Sequence, residues 1–315
     1  MSSEPDERTE RAALRAELLA EIDRLESSGG DIRDLRVAVR AMAELATAAR
    51  VFSPWRDWPK VTIFGSARVA ETTPQYALAH EVAARLAARG WMVVSGAGPG
   101  IMEAAARGAG ESATLGVNIA LPFERGANPY VEADTRLVEM KYFFTRKVAL
   151  TRESAAFVFF PGGVGTMDEL FELVTLLHTG KGAPAPLILA DAPGGRYWES
   201  WMEFVTASII DAGYLEGTAR DLLRVCHDAD GIEGEILTFF RNYVEFTQTD
   251  GEGRMRVREV PDASTLARVR SALPRADAEV RVEGDEIVFP FDGRHYAELR
   301  RVIDLVNAPP RPPGR

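Results

Sequence analysis

Apolar positions along the chain fall into two alternating textures. Short, nearly unbroken apolar runs at 61–64, 91–94, 114–119, 155–160, 186–190 and 222–226 read as buried strands. Between them, apolar residues recur every three or four positions, which predicts helices over 74–89, 101–109, 139–152, 167–178, 197–209 and 229–240. Two further helices precede the first strand. One, over 11–28, carries Leu14, Leu18, Ile22 and Leu25 on one face and ends at Gly29-Gly30. The other, over 32–50, carries Leu35, Val39, Met42, Leu45 and Ala46, and this pair is expected to pack on the main domain or on a partner subunit.

Strands that alternate with helices imply an α/β fold: a Rossmann-like, mostly parallel sheet flanked by helices with right-handed crossovers. Such sheets bind ligands beyond the carboxyl ends of their strands, near the point where strand order reverses. Three predicted loops lie there: 65–68, 95–100 and 161–166. A longer crossover, 122–138, holds Glu124, Asn128 and Tyr130.

After about residue 245 the texture changes. A strand over 254–260, a short helix over 266–273, a hairpin turning at Glu283-Gly284-Asp285 and a last helix over 296–306 make a small α+β module. The expected organisation is an N-terminal helical extension (1–54), a nucleotide-binding and catalytic domain (55–244), the α+β module (245–308) and a disordered Pro/Arg tail (309–315).

The most informative stretch is Pro161-Gly-Gly-Val-Gly-Thr-Met-Asp-Glu169, which joins an apolar strand to an amphipathic helix. Glycines there let the backbone approach a ligand, and the free N–H groups of the new helix form an anion site suited to phosphate. Neither the dinucleotide fingerprint nor the P-loop string is present. A plain strand-to-helix turn is the competing reading. Glu169 likewise has two readings. It completes a T-x-x-E capping box with Thr166, or it offers a free carboxylate to a reaction. Asp168 suits the positive end of the helix. Arg146 and Lys147 are adjacent, so they point in different directions, and a solvated pair is the plain reading. Arg68 follows the first strand directly and is placed for anion binding. Gly98 and Gly100 belong to the second glycine loop, and Glu103 lies in the first turn of the helix after it.

Composition narrows the function classes. The chain of 315 residues carries a net charge of -10 with a pI near 5.1, against a general nucleic-acid surface. Its single cysteine, Cys226, excludes an internal disulfide, reads as a core thiol and fits a reducing, cytoplasmic setting. No apolar run reaches the length of a membrane span, and no membrane partner is expected. His80, His178, His227 and His295 show no metal-ligand spacing, and no serine sits in a nucleophile elbow. No metal site and no cofactor are expected.

Residues 95–104, Ser-Gly-Ala-Gly-Pro-Gly-Ile-Met-Glu-Ala, together with the 161–169 stretch and the preceding Arg146-Lys147 pair, resemble the LOG family. These are cytokinin-activating nucleoside 5′-monophosphate phosphoribohydrolases, often mislabelled lysine decarboxylases. The resemblance spans roughly 58–240. It implies a homodimer with a Rossmann-like core that cleaves an N-glycosidic bond of a nucleoside 5′-monophosphate, AMP-like but with the base open, to free base and ribose 5-phosphate. It further implies that Arg146 and Glu169 are the catalytic pair. Gly162, Gly163, Val164, Gly165 and Thr166 would form the phosphate loop, and Ser66, Glu103, Asn118 and Lys147 would line the pocket. The second loop and the added N- and C-terminal segments depart from smaller members. No lysine here is anchored for pyridoxal phosphate. A non-catalytic nucleotide sensor or carrier on the same fold is the alternative. A DNA-processing role is disfavoured by the acidic charge.

Overall fold

The computed structural model describes residues 7–120, 126–131, 135–249, 251–273, 279–293 and 296–309. A seven-stranded sheet, every pairing parallel, forms the centre in the order β4-β3-β2-β1-β5-β6-β7. Its strands are β1 (Lys60–Phe64), β2 (Met92–Ser95), β3 (Thr114–Ile119), β4 (Leu137–Met140), β5 (Ala156–Phe159), β6 (Leu187–Ala190) and β7 (Leu223–Cys226). The chain builds outward from β1 through β2, β3 and β4, then crosses back to place β5 on the other side of β1. The order therefore reverses between β1 and β5. The helices that follow these two strands, Pro74–Ala88 and Val164–His178, lie on opposite faces of the sheet, the arrangement in which ligands bind beyond the strands' carboxyl ends.

Both faces of the sheet are covered, which is why its central strands β1, β2, β5 and β6 are buried along their whole length. Val61 and Ile63 of β1 and Ala156, Val158 and Phe160 at β5 pack with α3 (Pro74–Ala88), α4 (Ile101–Ala109) and α8 (Ala229–Phe239). Phe64, Phe157 and Phe159 point to the opposite face. There they meet α2 (Ile32–Phe52), α5 (Phe143–Arg152), α6 (Val164–His178) and α7 (Tyr197–Val205). The rings of Phe64 and Phe159 stack with centroids 4.8 Å apart.

Three sequence expectations need correction. The helix predicted over 139–152 starts at Phe143, and the residues before it form β4, paired in parallel with β3. The helix predicted from 167 starts at Val164, so Thr166 lies inside it. The stretch after α8 contains a strand the pattern did not reveal, β8 (Tyr243–Thr249).

β8 joins β9 (Glu252–Val257), β10 (Arg281–Glu283) and β11 (Glu286–Pro290) in an antiparallel sheet ordered β10-β11-β9-β8. α9 (Ala263–Ala272) and α10 (Tyr296–Val306) accompany this sheet, whose core joins Met255, Val257, Ile287 and Phe289 to Val302, Ile303 and Val306. A buried Arg300 ties α10 to the main sheet's flank through Glu235, and Arg224 reaches Asp304 at 2.6 Å.

Of the N-terminal helices, α2 packs on the main domain through Glu44, Ala48, Val51 and Phe52, whereas α1 (Glu7–Ser27) buries none of its residues. Glu124, His295 and residues 310–315 lie outside the described residues.

Candidate active site

The three loops singled out in the sequence are joined by backbone hydrogen bonds. The Ser66 N–H donates to the Pro161 carbonyl at 3.1 Å, and the Ile101 N–H donates to the Ser66 carbonyl, also at 3.1 Å. Gly100 makes the second junction possible. Its φ is +68° with ψ −124°, and an added Cβ would lie 2.4 Å from the Ser66 carbonyl oxygen. Gly100→Ala is therefore expected to cost about 3 kcal/mol or more. Gly110 has a similar φ of +78° but open space around it. Gly110→Ala, which carries backbone strain (φ +78°, ψ 160°) without the clash, serves as the comparison and should cost about 2 kcal/mol, less than Gly100→Ala, in the same denaturant titration.

The 95–100 loop is held from two sides. Ala97 is the one described non-glycine residue with positive φ, at 58°, and is fully buried. Its strained backbone is fixed by the Ser95 Oγ acceptor at 3.2 Å and by the Asn128 N–H, which donates to the Ala97 carbonyl at 2.7 Å. Asn128 Nδ2 also donates to the Gly98 carbonyl at 3.1 Å. The sequence named Asn128 only as part of a crossover. A buried amide that clamps a glycine loop gave no signal beyond its residue type.

Arg146 stands in the second turn of α5 and reaches across to this loop. Its Nε donates to the Val117 carbonyl of β3 at 3.0 Å, beside Asn118. An added Cβ on Gly96 would lie 2.2 Å from Arg146 Nη2, so the absence of a side chain there makes room for the guanidinium. Lys147 turns elsewhere, to Asp168 at 2.9 Å and Glu172 at 2.7 Å on α6. Burial works against its charge, but Glu172 and Asp168 raise its pKa overall, so Lys147 bolts α5 to α6.

The glycine turn opens α6 with Gly163 as N-cap and no side-chain cap. The first N–H groups of the helix are thus left for another acceptor. Gly163, Val164 and Gly165 are exposed, and nothing lies within 4 Å of a Cβ built on either glycine. Gly162 differs, because its Cβ would meet Thr166 Oγ1 at 2.1 Å, and its carbonyl accepts from the Tyr197 hydroxyl. The capping box between Thr166 and Glu169 is absent, since both lie within the helix.

Glu169 is the sixth residue of α6 and faces inward, only 4% exposed. Its Oε2 is buried with no hydrogen-bond partner among the described residues. Burial pushes its carboxyl up to about 7; Arg146 and Lys147 pull the other way, and Glu172 and Asp168 add to the rise. Half-buried Glu103 lies in the first turn of α4, half-buried Ser66 accepts the Arg68 N–H through Oγ at 3.1 Å, and Arg68 itself is exposed. Cys226 stands apart on β7, and its thiol is pushed up to about 11 by burial, which suits a packing role.

The family model described as "Possible lysine decarboxylase" matches residues 102–236. The cytokinin riboside 5′-monophosphate phosphoribohydrolase of Mycobacterium tuberculosis is 34% identical over 154 residues, 47% of this chain and 78% of its own length. The enzyme of the same name from Rhodococcoides fascians is 28% identical over 188 residues, 58% of this chain and 92% of its own. Among solved structures, the molybdenum cofactor carrier protein of Chlamydomonas reinhardtii aligns with a TM-score of 0.40 at 23% identity, over 56% of this chain and 94% of that one. With an α/β sheet of this order and a relative one-third identical over most of that relative's length, the chain belongs to the LOG family of phosphoribohydrolases.

Proposed function

We propose that the protein hydrolyses the N-glycosidic bond of a nucleoside 5′-monophosphate, releasing the free base and ribose 5-phosphate. The observation that carries this reading is Glu169 Oε2, buried with no hydrogen-bond partner among the described residues, under the charge of Arg146 and on the helix whose first amides have no side-chain cap. A carboxyl poised near neutrality suits proton transfer to or from water. As the C1′–N bond breaks, positive charge builds on the sugar and negative charge on the departing base. Ionised Glu169 stabilises the first and takes the proton from the attacking water. The water oxygen bonds to C1′, and the base leaves with the bonding electrons and gains a proton. Arg146 steadies the substrate or the leaving base. The turn 162–166 grips the 5′-phosphate away from the reacting carbon, with Gly98, Gly100, Ser66 and Asn118 shaping the adjoining wall. Binding at that remote anion orients the sugar against Glu169.

In this reading the working unit is a cytoplasmic homodimer. Incubation with AMP, GMP, IMP, CMP and UMP, followed by assay of free base and ribose 5-phosphate, tests the activity and ranks the bases. Release of both products in equal amounts from at least one of them is expected. Tight binding of a monophosphate with no product from any would instead mark a carrier or sensor.

A further inference from the structure

We propose that Glu44, on the N-terminal helix α2, is a positioning residue for Arg146, so that the N-terminal extension is a working part of the site. The inference rests on the catalytic reading of Arg146 given above.

The four buried residues of α2 are Ala48, Val51, Phe52 and, unlike these, a carboxylate, Glu44, only 4% exposed. Burying an ion is costly unless its lone pairs are met. Here they are met from another element. Oε1 accepts the Lys141 N–H at 2.9 Å, and Oε2 accepts the Thr145 hydroxyl at 2.6 Å and the Tyr142 N–H at 3.4 Å. Arg40, one turn back on α2, adds its charge at 3.3 Å. Burial alone would raise the Glu44 pKa, but the Thr145, Lys141 and Tyr142 donors outweigh it and hold the carboxyl below its ordinary value.

Those donors mark the entry of α5. Its N-cap, Tyr142, supplies no side-chain cap. In a capping box, a glutamate three positions into a helix takes the N-cap N–H. That position here is Thr145, and the glutamate comes instead from α2. The next residue is Arg146. Glu44 therefore fixes the corner between β4 and α5 and the turn from which the guanidinium leaves for the Val117 carbonyl. α5 is only ten residues long, so a shift at its entry reaches the arginine undamped.

The test uses the full chain with Glu44→Gln, and Thr145→Val as a milder second variant that removes one donor and keeps the charge. Base release, thermal midpoint and the NMR signal of the Arg146 Nε–H are measured. Glu44→Gln should lower kcat roughly 10-fold with KM nearly constant and shift the Arg146 Nε–H signal, as expected when about 1 Å of misplacement costs orders of magnitude in rate. Thr145→Val should move both in the same direction by less. Combined with Arg146→Ala, Glu44→Gln should add no further loss of kcat, because it acts through that residue. Multiplying losses, or wild-type kcat and an unmoved Arg146 signal in a folded Glu44→Gln protein, would overturn the proposal. If the wild type releases no base at all, the hydrolase reading fails by itself. The Arg146 signal then decides the positioning role alone, a shift supporting it and an unmoved signal overturning it.

Discussion

Glu169→Gln is expected to lower base release by roughly 10³-fold while the protein stays folded and still binds a nucleoside monophosphate. The amide has nearly the same shape, so packing around α6 is kept. It cannot take a proton from water, nor can it place negative charge beside a sugar carbon that turns positive. The loss should fall on kcat, since the proposed phosphate grip lies at 162–166 and not at residue 169. In the wild type, activity should rise with pH through about 7 as the carboxyl ionises, which is where burial has moved it. Wild-type turnover in the Gln variant would remove Glu169 from the chemistry.

The same substitution carries a stability signature of opposite sign. The folded-state pKa of about 7 lies above the ordinary 4.5, so between those values the native protein holds the proton that the unfolded chain has lost. The destabilisation from burying the ionised group is thus absent below about pH 4.5, grows as pH rises, and levels off above about 7 at on the order of 3 kcal/mol. Glu169→Gln should accordingly melt above the wild type at pH 8, with the gap closing toward pH 4.5. A variant that is less active yet more stable is the behaviour of a residue held against its own solvation preference for the sake of function.

Much of this was legible in the chain itself, and the failures have physical causes. α4, β3 and α10 were bounded correctly because their apolar periodicity begins and ends at sharp signals, such as Gly100 and Gly110 around α4. β4 was missed, its first two residues read as crossover and its last two as helix, because four residues, Leu137–Met140, interrupted by Glu139 and running toward a helix, are too few to fix a period. The Thr166-to-Glu169 spacing suggested a capping box, but the helix starts at Val164 with bare Gly163 as its cap. Local spacing cannot see that the helix opens one turn earlier, on a glycine with no side chain to cap it. Nor could it see Ala97, whose positive φ falls between two glycines that would adopt it more easily. Glu44 was hidden for a different reason. On a helical pattern it occupies one more polar position, and its donors lie about a hundred residues away, in the corner after β4 and the first turn of α5.

Gly165→Ala is expected to leave the fold intact or slightly firmer and to weaken the monophosphate's binding, raising KM about 10-fold or more. Gly165 sits in the first turn of α6, and alanine is the better helix former by about 1 kcal/mol. A Cβ there meets nothing within 4 Å, so the folded chain has no steric need for glycine at that position. Gly163 is equally open, whereas Gly162 is pinned by Thr166. The glycines of this turn thus divide into one that the fold requires and two whose empty space faces outward over uncapped amides. A methyl group placed in that space would keep a phosphate from closing on the N–H groups while touching no protein atom. The check compares a monophosphate with its parent nucleoside in both proteins. The penalty should fall on the phosphorylated substrate and leave whatever slow cleavage of the nucleoside occurs unchanged. Equal KM values for the monophosphate in wild type and Gly165→Ala would move the anion site off this turn, and with it the orientation that sets the sugar against Glu169.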